Sequence, residues 1–254
     1  MNPYVVRFIS QRAGVGKTYI ASRVVEKLVR AGYSVSVIKH SASKIALEEK
    51  DSSHYLSAGA LEVIVSSRDL TLLYSKTIVD DLNYLLKYVS KPLLVVEGFR
   101  DSEVGDSIVV TDNLEDAVRL VKKNTVAIVV SSEVYSLEQH SMGGAVVLYS
   151  NQIDELTGLI VRRALSYITS QLPGLNCGIC GVDRCEALAA RILRGERVSC
   201  PVALGVKLVV NEREVPLNPF VRNVVKSVVE GLLNSLKGVP KDIRHITVEI
   251  SYSE

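Results

Sequence analysis

The chain has 254 residues, of which 47% are hydrophobic and 23% charged, so it can bury a core and is not expected to be disordered. Its net charge of +2 is too small to predict binding to nucleic acid or to an anionic membrane. The sequence enters a strand pattern directly after Met1-Asn2-Pro3, without a secretory signal, and no uncharged apolar run reaches membrane-spanning length. These features predict a cytoplasmic protein with neither a nucleic-acid nor a membrane partner.

The first informative motif is the run from Ser10 to Thr18, which reads Ser-Gln-Arg-Ala-Gly-Val-Gly-Lys-Thr. It follows an apolar strand pattern and precedes an amphipathic helix pattern that stops near Gly32. A strand, a glycine loop and a helix start in this order form a phosphate cradle, because loop N–H groups and the helix N-terminus attract anions. The predicted nucleotide-binding residues are Ala13, Gly14, Val15, Gly16, Lys17, Thr18 and Tyr19.

Two residues of this motif are predicted to be catalytic. Lys17 should reach the outer phosphates, and Thr18 should offer its hydroxyl to Mg²⁺. The P-loop pattern expects glycine five residues before Gly16, and this chain has Gln11 there. A chance Gly-Lys-Thr in a surface turn is the alternative, and the flanking strand and helix patterns argue against it.

Apolar runs alternate with helical patterns along the first two thirds of the chain. Strands are predicted at 4–9, 34–39, 62–66, 93–96, 107–110, 125–130 and 145–148. Helices are predicted at 20–31, 51–58, 78–89, 114–122 and 153–172, and segment 41–50 is predicted to be a loop. This alternation predicts an α/β fold, a P-loop domain with a mostly parallel sheet.

Two acidic residues are candidate Mg²⁺ ligands. Glu97 ends the most apolar strand, where a carboxylate of a P-loop fold lies beside the phosphate loop; an ion-pairing or capping role is the alternative. Asp51 lies in a segment that could become ordered around a γ-phosphate. His40 ends the second strand, at the ligand edge of a parallel sheet, and its residue type leaves a functional and a structural role open.

Four motifs in fixed order and spacing resemble the MobB family of molybdopterin-guanine dinucleotide biosynthesis adaptor proteins, over residues 4–150. The motifs are Gly14-x-Gly16-Lys17-Thr18, Ile38-Lys39-His40, Lys50-Asp51-Ser52 with Ala58-Gly59-Ala60, and Glu97-Gly98-Phe99-Arg100. The resemblance implies a GTP-binding, weakly hydrolysing protein that supports the enzyme attaching GMP to molybdopterin, in molybdenum or tungsten cofactor synthesis. Its implied partner is a guanylyltransferase or another molybdenum-cofactor enzyme.

The family resemblance also implies roles for particular residues. Lys17 and Thr18 would bind phosphate and Mg²⁺, Glu97 would lie by the metal, and Asp51 would belong to a switch-like segment. The sequence has no Asn-Lys-x-Asp signature for reading guanine. The preference for GTP over ATP is therefore implied by the resemblance alone.

Four cysteines form the second motif, at positions 177, 180, 185 and 200. In a reducing compartment such a cluster indicates a metal site rather than disulfides, and the spacing leaves Zn²⁺ and a [4Fe–4S] cluster open. Residues 172–187, with Gly195 and Pro201, resemble the small four-cysteine [4Fe–4S] domain of some electron-transfer proteins. That resemblance implies a cluster bound by Cys177, Cys180, Cys185 and Cys200.

Pro173-Gly174 breaks the pattern and marks the predicted domain boundary. We expect a P-loop domain at 1–172, a four-cysteine [4Fe–4S] module at 173–203, and a small α+β segment at 204–254. The last segment is predicted as a strand at 206–210, a helix at 220–236 and a strand at 246–250. It is interpreted as a packing or dimerisation unit of a homodimer.

Two other functions remain open on the sequence. One is a nucleotide-gated iron–sulfur electron-transfer or metallocluster-maturation ATPase, in which the cluster is the working part. The other is a non-catalytic nucleotide-binding scaffold with a structural Zn²⁺ site.

Overall fold

A computed structural model describes residues 1–41, 50–76, 78–131, 141–201, 206, 208–211, 213–215, 217, 219–240, 243 and 246–250. The chain forms two units, Met1–Ser199 and Cys200–Glu254. The domain boundaries expected at 172/173 and 203/204 stay predictions.

The elements of the first unit alternate between strand and helix. In chain order they are β1 (Tyr4–Ile9), α1 (Lys17–Arg30), β2 (Val35–Lys39), α2 (Lys50–Ser57), β3 (Glu62–Ser66), β4 (Thr71–Ser75), α3 (Leu82–Leu85, continued by a 3₁₀ turn at Leu86–Tyr88), β5 (Leu93–Glu97), β6 (Asp106–Thr111), α4 (Leu114–Val118), β7 (Thr125–Val130), β8 (Ser141–Met142), β9 (Ala145–Tyr149), α5 (Ile153–Ser170) and α6 (Cys185–Leu193). Seven strands form one sheet in the order β2-β5-β1-β6-β7-β9-β8. Every pair in this sheet is parallel except β8 with β9, so the mostly parallel sheet is confirmed.

The core lies on the central strands, which are buried along their length as expected for a parallel sheet covered on both faces. Helices α1 and α5 pack on each other and on the central strands, and α6 packs on α5. The buried face of α1 has the helical spacing that the sequence predicted, with Ile20, Val24 and Leu28 fully covered. The six parallel strands end at one edge of the sheet, where the candidate site lies.

Three predictions in this unit are wrong in detail. The helix predicted at 114–122 ends at Val118, where a turn with the Leu120 N–H bonded to the Ala117 carbonyl follows. Strand β3 does not join the main sheet; it pairs antiparallel with β4, a strand that the sequence did not predict. Its side chains alternate between exposed and half-buried, which suits a hairpin covered on one face only. The helix predicted at 78–89 begins at Leu82, because the Asp81 side chain caps it by accepting the Tyr84 N–H at 3.0 Å.

The second unit contains a hairpin of β10 (Leu208–Val210) and β11 (Arg213–Val215), followed by α7 (Pro219–Ser235). The predicted strand at 206–210 and helix at 220–236 are confirmed within two residues. The strand predicted at 246–250 is wrong, because that segment has no strand structure and β10 pairs with β11 instead. Asn211 permits the tight hairpin turn with a φ of +47°, a left-handed conformation that asparagine tolerates. In the described ranges, no helix is long and apolar enough to cross a membrane.

Candidate nucleotide-binding site

The loop between β1 and α1 has the backbone of a phosphate cradle. Gly14 and Gly16 have φ values of +81° and +86°, which side-chain-bearing residues adopt only with strain. Gly16 is the N-cap of α1, and no side chain caps this helix start. The first N–H groups of α1 are therefore available to an anion. Val15 is buried and anchors the loop, whereas Tyr19 is 60% exposed.

The Lys17 ammonium is held at the beginning of the loop. Lys17 Nζ donates a hydrogen bond to Ser10 Oγ at 2.7 Å, and Ser10 Oγ donates to the carbonyl oxygen of Arg12 at 2.5 Å. A neutral hydroxyl is a weaker partner for an ammonium than an anionic oxygen. Lys17 can therefore exchange this hydroxyl for a phosphate oxygen without leaving an unpaired carboxylate behind.

Thr18 and Glu97 meet across the loop. Thr18 Oγ1 donates to Glu97 Oε1 at 2.6 Å, and Lys39 Nζ lies 3.4 Å from the other carboxylate oxygen, Oε2. The Glu97 side chain is only 14% exposed. A hydroxyl and a carboxylate side by side next to a phosphate loop are the oxygen ligands that Mg²⁺ takes from proteins, with water and phosphate filling the remaining positions.

His40 is built into the same edge of the sheet. Its Nε2 lies 3.0 Å from Asp80 Oδ2, its backbone N–H donates to the Glu97 carbonyl at 2.9 Å, and its ring packs on Phe99 with centroids 4.6 Å apart. A β-carbon on Gly98 would lie 2.8 Å from the β-carbon of His40, so only glycine fits there. The structure therefore shows His40 packed beside Glu97, and a functional role for His40 stays a prediction from the sequence.

Arg12 projects from the loop towards the next strand. Its Nη2 lies 2.9 Å from Asp112 Oδ1, directly after β6, and 2.9 Å from Asp116 Oδ2 in the first turn of α4. The three side chains are 55%, 44% and 22% exposed. The phosphate loop is thereby tied to the end of β6 by an ion pair that water can reach.

A buried arginine supports the turn that follows Glu97. Arg7 is fully buried in β1, with Nε donating to the Val104 carbonyl at 2.7 Å and Nη1 to the Phe99 carbonyl at 3.1 Å. Burial lowers the pKa of its guanidinium, against the attraction of Asp106 and Glu103. Arg7 fixes the loop between β5 and β6 and with it the end of the strand that carries Glu97.

Sequence reasoning proposed the loop, Glu97 and His40, which the structure brings to one edge of the sheet, and did not propose the side chains that contact them. Ser10, Asp112 and Asp80 were not predicted as site residues. Ser10 and Asp112 directly follow strands of the parallel sheet, so the rule that ligands bind at the carboxyl edge could have identified them. Helix α2 begins at Lys50, one residue before the predicted start, so Asp51 is its second residue; the Asp51 side chain is outside the described part. Segment 42–49, predicted to be a loop, also lies outside it.

The cysteine segment joins α5 to α6. Cys177 is exposed, Cys180 half-buried and Cys185 buried, and all are free thiols, as is Cys200 in the second unit. Cys185 is the first residue of α6, and its N–H donates to Asn176 Oδ1 at 2.8 Å. Among the described residues, no three His, Cys, Asp or Glu side chains are grouped as metal ligands. Gly178 and Gly181 have positive φ and open space around them.

The glycine loop, the helix start and the parallel sheet together define the P-loop class of α/β folds. A family model described as "Molybdopterin guanine dinucleotide synthesis protein B", MobB, matches residues 5–132, half of the chain. The chain therefore belongs to the MobB family. A second model, "Putative Fe-S cluster", matches residues 172–202, which contain all four cysteines.

Individual relatives agree with this assignment. A protein of Methanocaldococcus jannaschii named "Putative molybdopterin-guanine dinucleotide biosynthesis adapter protein" is 25% identical over 248 residues, 94% of each chain. The Bacillus subtilis MobB structure has a TM-score of 0.51 at 21% identity, covering 61% of this chain and 97% of that one. A MobB homolog from Bacillus stearothermophilus has a TM-score of 0.50 at 20% identity, covering 64% and 98%. The two structures concern the fold alone.

Proposed function

We propose that this protein is a GTP-binding, weakly hydrolysing adapter in the synthesis of molybdopterin guanine dinucleotide for molybdenum or tungsten enzymes. Family membership and the name of the archaeal relative support the pathway. The observation that supports nucleotide binding most is the 2.6 Å contact between Thr18 and Glu97, because a hydroxyl and a carboxylate together beside the glycine loop suit Mg²⁺.

Each residue of the loop has a defined task in this proposal. The loop N–H groups and the start of α1 bind phosphate oxygens, and Lys17 moves from Ser10 Oγ to the outer phosphates. Bound Mg²⁺ would neutralise charge on the phosphates, and Thr18 and Glu97 would hold it, with Asp51 as a further ligand proposed from the sequence. These groups would stabilise developing charge on the transferring phosphoryl group, and hydrolysis is proposed to be slow because no residue that positions the attacking water is identified among the described residues.

Calorimetric titrations test the base preference and the dependence of binding on Mg²⁺ together. The protein is titrated by calorimetry with GTP and with ATP, first with Mg²⁺ and then with EDTA. We expect GTP to bind more tightly than ATP and Mg²⁺ to strengthen both. Equal affinity for GTP and ATP would contradict the guanylate pathway and leave a general nucleotide-binding scaffold.

We also propose that Cys177, Cys180, Cys185 and Cys200 bind one [4Fe–4S] cluster. The "Putative Fe-S cluster" match supports this set, and four free thiols are the donors that such clusters require. Gly178 and Gly181 have positive φ, the conformation of tight turns, which would let neighbouring sulfurs converge on a cluster.

The iron, sulfide and zinc content of anaerobically purified protein distinguishes an iron–sulfur cluster from a zinc site. A [4Fe–4S] cluster predicts roughly four irons with matching sulfide and a brown colour. Stoichiometric zinc without sulfide would contradict the cluster and support the structural Zn²⁺ alternative.

A second function, a nucleotide-gated iron–sulfur protein, has one observation in its favour. The C-terminal end of α6 is bonded to the start of β2, since the Ser34 N–H donates to the Leu193 carbonyl at 2.9 Å. The other end of β2 carries Lys39, which contacts Glu97. A hydrolysis rate that changes between reduced and oxidised protein would support this function, and an unchanged rate would exclude it.

The partners are proposed from the same source. The relative from Methanocaldococcus jannaschii is named an adapter protein, which suggests docking to a guanylyltransferase or another molybdenum-cofactor enzyme. We further propose a homodimer. Light scattering with and without the transferase measures the mass of the protein and of its complex. A monomeric mass that does not increase when the transferase is added would contradict both the homodimer and the docking.

A further inference from the structure

We propose that Arg12 is a second phosphate-binding cation, which Asp112 and Asp116 hold while the site is empty and which turns to the terminal phosphate of a bound nucleoside triphosphate. This inference rests on the proposed nucleotide binding. It assigns a role in recognising the third phosphate to a residue that no P-loop pattern specifies.

The position of Arg12 in the loop is the first argument. Lys17 is the residue of a P-loop that reaches the outer phosphates. Its ammonium donates to Ser10 Oγ, and the same hydroxyl donates to the carbonyl oxygen of Arg12. The backbone carbonyl of Arg12 is thus two hydrogen bonds from the ammonium of Lys17, so Arg12 belongs to the same loop as the outer-phosphate cation.

The chemistry of the Arg12 contacts is the second argument. Its guanidinium makes two 2.9 Å contacts to carboxylate oxygens through the same nitrogen, Nη2, and its side chain is 55% exposed. Water-accessible ion pairs of this kind contribute little to stability, so they are readily exchanged. A phosphate offers more charge than a carboxylate and matches the planar fork of arginine in a bidentate contact.

The two acidic residues therefore compete with the nucleotide for one cation. Asp116 lies in the first turn of α4 and Asp112 comes one residue before its N-cap, Asn113, so both carboxylates lie near the start of the helix, which favours negative charge when Arg12 leaves. Removing one carboxylate should make Arg12 easier to recruit. A purely structural tie would behave in the opposite way, since loosening it would disorder the loop and weaken binding.

The test measures affinity for the Mg²⁺ complexes of GTP and GDP by calorimetry in five proteins: wild type, Arg12→Ala, Asp116→Asn, the double variant, and Arg23→Ala. Arg23 is the matched control, because it is an exposed arginine of α1 in an ion pair with Glu26 and lies outside the loop. Thermal melting establishes that each variant is folded. If ATP binds more tightly than GTP, ATP and ADP replace them.

We expect Arg12→Ala to lower triphosphate affinity by about tenfold or more and diphosphate affinity by less than about threefold. We expect Asp116→Asn to raise triphosphate affinity by about two- to fivefold and to lose this effect in the double variant. Arg23→Ala should change neither affinity.

Several results would overturn the inference. Equal losses for tri- and diphosphate in Arg12→Ala would make Arg12 structural, and so would weaker triphosphate binding in Asp116→Asn. A gain from Asp116→Asn that persists in the double variant would show general electrostatics rather than release of Arg12. Each of these leaves nucleotide binding by the wild type intact, whereas a wild type that binds no nucleotide overturns the proposed function and this inference together.

Discussion

Replacing Glu97 with Gln should separate the structural role of this residue from its proposed role in holding Mg²⁺. In the free protein, the Glu97 carboxylate accepts a hydrogen bond from Thr18 at 2.6 Å and lies 3.4 Å from Lys39 Nζ. A hydrogen bond to a charged group contributes about 1.5–3 kcal/mol and a neutral one about 0.5–1.5 kcal/mol. Lys39 is 57% exposed, so its ion pair adds at most about 1 kcal/mol. We expect the variant to unfold with about 1–2 kcal/mol less free energy than the wild type.

The nucleotide should respond differently with and without the metal. Loss of a carboxylate that orients or binds a metal lowers affinity by about 10- to 100-fold, so binding of Mg·GTP should fall by that factor. With EDTA, the variant should bind GTP as well as the wild type or more tightly, because a negative charge beside the phosphates is gone.

Calorimetry with Mg²⁺ and with EDTA measures both effects, and urea unfolding measures stability. Glu155→Gln is the control, an exposed glutamate in the first turn of α5. An equal loss of affinity with Mg²⁺ and with EDTA would refute the reasoning, since Glu97 would then act only by shaping the loop.

Three further predictions concern stability and the cysteines. Gly98→Ala should lower the free energy of unfolding by about 2–4 kcal/mol, because Gly98 has a φ of +104° and a β-carbon there would lie 2.8 Å from the His40 side chain. Gly59→Ala is the control: Gly59 has a φ of +109° in open space, so this variant should show the backbone strain alone, about 1–3 kcal/mol. Equal losses in urea unfolding would contradict the clash. Tyr4→Phe should lower the free energy of unfolding by about 1–2 kcal/mol in urea, because it removes the 2.7 Å hydrogen bond from Tyr4 to Asp106. Burial and Asp106 raise the pKa of Tyr4 in the folded protein, so the stability advantage of the wild type should shrink above about pH 10, where the unfolded tyrosine ionises. A stability difference that stays constant up to about pH 11 would contradict the raised pKa. Cys180→Ser should lower iron and sulfide content and leave GTP affinity unchanged, and full iron content in that variant would remove Cys180 from the ligand set.

The sequence predicted best what is encoded locally. The phosphate loop is specified by glycines whose positive φ is required at Gly14 and Gly16, and by the strand and helix on either side. The apolar run before Glu97 predicted a strand buried on both faces, and β5 is one. These features need no knowledge of which segments meet, so periodicity and turn chemistry suffice.

What the sequence did not predict depends on contacts between distant residues. Strand β3 was predicted correctly as a strand, but an alternating pattern does not reveal which strand it pairs with. It pairs with β4 in a separate hairpin rather than joining the main sheet. The pairing of Arg12 with Asp112 joins residues 100 positions apart. The strand at 246–250 was predicted only from the alternation of its apolar residues. Strand β10 instead pairs with β11, which follows it directly across the turn at Asn211.

Binding of Mg·GTP by the wild type and by Lys17→Ala, measured in parallel by calorimetry, tests the central claim most directly. The ammonium of Lys17 has a neutral hydroxyl as its hydrogen-bond partner in the empty loop, so a triphosphate should gain the full charge-assisted contact. We predict saturable binding by the wild type and a loss on the order of 2 kcal/mol or more, about 30-fold in affinity, in the variant. Unchanged binding by Lys17→Ala, or no binding by the wild type, would contradict the assignment of this loop as the nucleotide site.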